Sequence, residues 1–95
     1  MDRVTQYRRA ERIAARVIEG SAFVVSVDQQ RMVELNDVGT FIWEALAPAA
    51  TVDELVEAVA ASFEVEPAAA RRDVEAFLSE LLLRGIVSRD SGAST

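Results

Sequence analysis

The sequence predicts an α+β fold of winged helix-turn-helix type, with an N-terminal three-stranded antiparallel sheet followed by three helices. Three observations lead there. Residues 12–35 alternate apolar and polar in short runs broken by turn residues. Residues 36–85 then change to helical spacing, with a start or stop signal at each boundary. Finally, only Glu64 to Glu66 separate the second and third helical patterns, which is helix-turn-helix spacing.

Taken in order, residues 1–11 have no clear period and are expected to be a flexible arm. The first predicted strand begins after Arg12, where Ile13, Ala15 and Val17 alternate with Ala14, Arg16 and Ile18, and Glu19-Gly20-Ser21 turns the chain. Ala22 to Val27 is β-branched and aromatic-rich and makes the second strand. Asp28-Gln29-Gln30 leads into the third, Arg31 to Leu35. The links are too short for crossovers, so the three strands form a meander.

Asn36 suits the N-cap of the first helix, whose apolar stripe is Val38, Phe41, Ile42, Ala45 and Leu46, and Pro48 ends it. Trp43, at the edge of that stripe, is expected to pack in the core. Thr51 and Glu54 fit a capping box for a second helix with the stripe Val52, Leu55, Val56, Val59 and Phe63. Pro67 fits the first position of a third helix, with stripe Ala70, Val74, Phe77, Leu78 and Leu81. Gly85 fits its C′ position, and Ile86 to Ser88 can close the fold as a short strand. One domain over residues 12–88 results, followed by a disordered tail at 89–95.

Composition narrows the chemistry. Among 95 residues there is no cysteine and no histidine, which excludes disulfides, thiol nucleophiles, imidazole bases and nearly all zinc sites. No cofactor, metal or catalytic set is expected. No run is long and apolar enough for a membrane span, and a cytosolic location is the default expectation. Residues 1–31 carry six Arg against four acids, whereas residues 32–95 carry four Arg against twelve acids. Such an acidic body repels phosphate backbones, and Arg71 and Arg72 stand among Asp73, Glu75 and Glu80. Nucleic acid is thus an unfavourable partner despite the helix-turn-helix spacing.

Two surfaces can bind a peptide. The third strand, followed directly by a helix, can lie at an open sheet edge. In Arg31-Met32-Val33-Glu34-Leu35, Val33 and Leu35 would share the core face, leaving Met32 and Glu34 opposite. Met32 equally fits a residue that merely caps the sheet. On the third helix Arg72, Asp73, Ala76, Phe77 and Glu80 lie together beside the core stripe, where small Ala76 leaves room for a visiting side chain. Leu83 lies beyond them, off the core stripe, and packing against the arm or a dimer partner would explain it as well.

Met32-Val33-Glu34-Leu35-Asn36, Val38 to Leu46 with Gly39, Ile42 and Trp43, and Thr51 to Leu55 together resemble the LN…G..IW..L…T..EL pattern of PqqD-like proteins. Asp73 to Leu81, closing on Arg84-Gly85-Ile86-Val87, continues the likeness, which spans roughly residues 12–88. That family consists of peptide chaperones, also called precursor-peptide recognition elements, that serve the biosynthesis of ribosomally made, modified peptides. The resemblance implies a non-catalytic winged-helix-like domain that captures the leader segment of a precursor peptide. The leader would add a strand to Arg31–Leu35 and lie against the third helix, where Asp73 and Phe77 match the family pattern. A modifying enzyme, such as a radical SAM enzyme, a cyclase or a leader peptidase, would then receive the peptide. Ser26 to Gln30 lacks the Tyr-Pro-Glu-Gly-like turn of the quinone-cofactor branch, which favours another peptide class. Family members also dimerise by exchanging elements, so a homodimer is compatible with peptide binding. Two alternatives are a winged-helix DNA-binding regulator and a dimerisation or structural module.

Overall fold

A computed structural model describes residues 5–91 as two small sheets and three helices. The strands are β1 (Thr5–Arg9), β2 (Ile13–Ile18), β3 (Ser21–Ser26), β4 (Arg31–Glu34), β5 (Ala50–Thr51) and β6 (Val87–Ser91). The helices are α1 (Asp37–Ala45), α2 (Val52–Phe63) and α3 (Pro67–Leu83). The expected meander is β2–β3–β4, antiparallel throughout, with β3 in the middle. The third predicted strand is therefore β4.

Beside it stands a second sheet, in the order β5–β1–β6. Its central strand falls within the stretch expected to be a loose arm, and β6 runs three residues into the expected disordered tail. Residues 5–9 are ordered by partners: Thr5 to Arg9 pair with Ser91 to Val87 in continuous register, and Gln6 and Tyr7 pair with Thr51 and Ala50. Tyr7 and Arg9 turn inward, and the Arg9 guanidinium donates to the Trp43 carbonyl at 2.7 and 3.1 Å while lying 4.7 Å from the indole centroid. Of the arm and tail, residues 1–4 and 92–95 lie outside the described residues.

Local chemistry sets the helix ends. The Asn36 side chain accepts from the Gly39 amide at 2.8 Å. Thr51 and Glu54 form the reciprocal capping box, at 3.1 and 2.9 Å. Pro67 begins α3, and Gly85 follows it at φ +73°, a conformation glycine adopts without a Cβ clash. Each helix buries its stripe in one core. Ile42, Leu46, Leu55, Val59, Val74, Leu78, Leu81 and Ile86 meet Val24 from β3 there, and Trp43 joins them. Thr40 ties sheet to helix, since its hydroxyl accepts from the Ala22 amide and donates to the Leu35 carbonyl. Among the described residues no helix is long and apolar enough to cross a membrane.

Candidate functional site

β4 is the last strand of its sheet and pairs only with β3 among the described elements. The Leu35 amide donates to the Ala22 carbonyl at 2.8 Å. Antiparallel pairing alternates, so the amides of Val33 and Arg31 also face β3, while those of Met32 and Glu34 face the open side. Side chains alternate in the perpendicular direction. Val33 is half-buried and Leu35 is 4% exposed toward the core, whereas Met32 is 67% exposed on the other face with Glu34. The edge is short and bears a charge at each end, Arg31 and Glu34, which limits non-specific strand pairing without closing the edge.

Where β4 ends, a groove begins. The N-cap Asn36 and Val38, Gly39 and Ile42 of α1 line one wall, and Asp73, Ala76 and Phe77 of α3 line the other, around about 250 Å³. The two helices touch at Gly39, where a Cβ would come within 2.8 Å of Phe77 Cε1 and 3.2 Å of Asn36 Oδ1. A glycine inside a helix normally costs stability, and here the close approach of Phe77 requires it. Of the five α3 residues expected to form a binding face, Asp73, Ala76 and Phe77 line this groove; Arg72 and Glu80 do not. Glu80 is held by Arg84 one turn on, at 2.6 Å. Leu83, 83% exposed, extends the same side of α3 at seven-residue spacing from Ala76.

The α1 wall was absent from the sequence-derived site. Its one available signal is Gly39, an isolated glycine within a helical stripe, which marks close approach but not of what.

A larger hollow, about 700 Å³, lies on the far side of α3 between it and α2. Val56, Ala60, Ala61, Val65 and Pro67 make its floor, and Asp53, Glu57 and Arg71 its rim. Arg71 is neutralised there: it contacts Asp53 at 2.6 Å and Glu75 at 3.8 Å. The hydrogen bond with Asp53 raises its pKa further. The helix-turn-helix elbow thus presents acids with their own counter-ion, the opposite of a surface that neutralises phosphates.

Comparison with known proteins bears on the same elements. No curated protein matches the chain. Two solved structures share the fold. The structure of TbiB1 in complex with the TbiA(beta) leader peptide has a TM-score of 0.80 at 21% identity, covering 85% of this chain and 94% of that one. The solution structure of the PqqD truncation of Methylobacterium extorquens PqqCD, a functional and stand-alone RiPP recognition element, has a TM-score of 0.73 at 15% identity. It covers 87% of this chain and 88% of that one. The family model for coenzyme PQQ synthesis protein D matches residues 22–87, from β3 to the start of β6 and so across the β4 edge and the α1–α3 groove. The chain belongs to the PqqD family.

Proposed function

We infer that this protein is a non-catalytic recognition domain for the leader segment of a ribosomally made precursor peptide, captured by strand addition to β4. The observation that carries this reading is the free β4 edge, with the Met32 and Glu34 amides facing outward, adjoining the groove between α1 and α3. A peptide strand along Arg31 to Leu35 gains main-chain hydrogen bonds whatever its sequence. Its side chains on the core side meet Asp73, Ala76 and Phe77, with Arg72 and Glu80 flanking them. The TbiB1 complex with a leader peptide and the stand-alone recognition element from PqqCD, both of this fold, support the assignment.

The domain passes the bound peptide to a modifying enzyme in the cytosol, of the radical SAM, cyclase or leader-peptidase kind, and needs no cofactor of its own. A net charge of −6 favours leaders that carry basic residues, acting through long-range attraction more than through contacts.

The test is a titration of labelled leader peptides against the purified protein, with Met32→Pro as the decisive variant. Proline at an edge position whose amide faces outward leaves the β3–β4 ladder intact but removes a donor to the guest strand. Affinity should fall by about ten- to a hundredfold while the melting temperature changes little. Unchanged affinity in a folded Met32→Pro protein rules out strand addition at this edge.

A further inference from the structure

The β2–β3–β4 sheet has a second face that the peptide reading leaves unused. β3 turns Ala22, Val24 and Ser26 into the core, so Phe23 and Val25 point the other way. They share that outer face with Ala14, Arg16 and Ile18 of β2 and with Met32 and Glu34 of β4. A shallow hollow of about 410 Å³ lies over it, lined entirely by residues of this one sheet. Ile18 is 48% exposed and Met32 67%, and among the described residues nothing packs on this apolar face.

The register of this face is self-complementary. Phe23 pairs with both Arg16 and Glu34, so one row across the sheet reads Arg16–Phe23–Glu34. The next row reads Ala14–Val25–Met32. Each row ends in opposites, cation against anion and small against large. Arg16 and Glu34 make no ion pair among the described residues.

We propose that this outer face seats a second copy of the chain, sheet against sheet, about a two-fold axis parallel to β3. That axis exchanges β2 and β4. It places Arg16 of each copy over Glu34 of the other, and Met32 of each over Ala14 of the other. Phe23 and Val25 then meet their own counterparts at the centre. Facing sheets lie about 10 Å apart, a gap that an arginine and a glutamate reaching from opposite sides can close. A two-fold contact of this kind is closed and makes a dimer, not a fibre. Hydrogen bonds to a guest strand at β4 lie in the plane of the sheet, so the dimer leaves that edge open.

The size of the face places it among weak, transient contacts. Three strands of at most six residues span about 14 by 20 Å, or on the order of 300 Å² per copy, well below the roughly 800 Å² of a standard stable interface. The dimer is expected to be weak and in rapid exchange, with a dissociation constant on the order of 100 μM taken as the working value for its test.

Sedimentation equilibrium on the full chain, from about 10 μM to about 1 mM, tests this directly. The weight-average mass should rise from 10.4 kDa toward twice that value. Arg16→Glu or Glu34→Arg alone breaks two pairs by symmetry and should raise the dissociation constant about tenfold. The two together should bring it back to within about threefold of the parent. All these positions are exposed, and circular dichroism confirms that each variant is folded. A single-chain mass at the top of the range would overturn the proposal. So would a dimer that ignores both charge reversals, or one abolished by Leu83→Ser, which would assign association to α3 instead.

Discussion

Two three-stranded antiparallel sheets of similar size treat their surroundings in opposite ways. In β5–β1–β6 the strands are fastened to the helices. Ala50 and Val87 are buried, the Ala10 amide donates to the Ile86 carbonyl at 2.9 Å, and Arg9 reaches the Trp43 carbonyl on α1. In β2–β3–β4 only the inner face of β3 is fully committed to the core. β2 is exposed along nearly its whole length, and among the described residues nothing pairs with the β4 edge or packs on the outer face. The first sheet spends its polar groups on closing the fold, and the second holds its groups in reserve. A small domain can leave one sheet this open because the other, with the helices, already makes a core.

This contrast can be broken from either side, and the largest effect is expected within β4 itself. Val33→Pro removes an amide that faces β3, strands a carbonyl of the ladder and should cost about 2–4 kcal/mol of stability. Met32→Pro, one residue away, should leave stability nearly unchanged and act on peptide affinity. If thermal melts show the two variants equally destabilised, the amide directions assigned to β4 are wrong. On the fastened side, Arg9→Ala removes two charge-assisted hydrogen bonds and a cation–π contact. The expected loss is about 2 kcal/mol, or roughly 10 °C in melting temperature for a domain of this length. Leader affinity at 25 °C should be unaffected, and a parallel loss of affinity would show that the two sheets are coupled.

Much of the β2–β3–β4 sheet and all three helices were legible in the sequence because their signals are local. Asn36 caps an amide three residues on, Thr51 and Glu54 cap each other across the same interval, and the two faces of β4 follow from strict alternation. Of the β5–β1–β6 sheet only the start of β6 was legible, as the closing strand expected at Ile86 to Ser88. Thr5 to Arg9 has Tyr7 as its only large apolar side chain, and its partner strand begins 78 residues beyond Arg9, so no window of sequence contains the pairing. Half of the groove was missed for the same reason. Phe77 was expected both in the core stripe and on the binding face, but Gly39 lies in a different helix, and only packing brings the two together.

Gly39→Ala acts at the point where the open edge meets the packed helices. Helix propensity alone favours the change by about 1 kcal/mol. The new Cβ, however, would lie 2.8 Å from the Phe77 ring, and overpacking of this kind costs about 1–3 kcal/mol. The net expectation is a loss of about 1 kcal/mol together with a displaced Phe77. Peptide affinity should fall several-fold although no edge amide is altered. A stabilised variant with parental affinity would mean that Phe77 yields freely and is no fixed wall of the site.

The smallest effect is expected at the outer end of the β2–β3 hairpin, where Arg12 and Asp28 approach to 2.6 Å with both side chains more than 60% exposed. Geometry makes this look like a strong tie, but solvent screens both charges and the long arginine side chain must be ordered to form it. Arg12→Ala should therefore cost about 0.5 kcal/mol or less at low salt, and nothing measurable near 1 M salt, where the screening length is about 3 Å. Denaturant melts of the parent and variant at both ionic strengths measure this directly. A loss above about 1.5 kcal/mol that persists in high salt would mean that the hairpin end is fastened as firmly as β1. In that case the open sheet would be less open than its burial indicates.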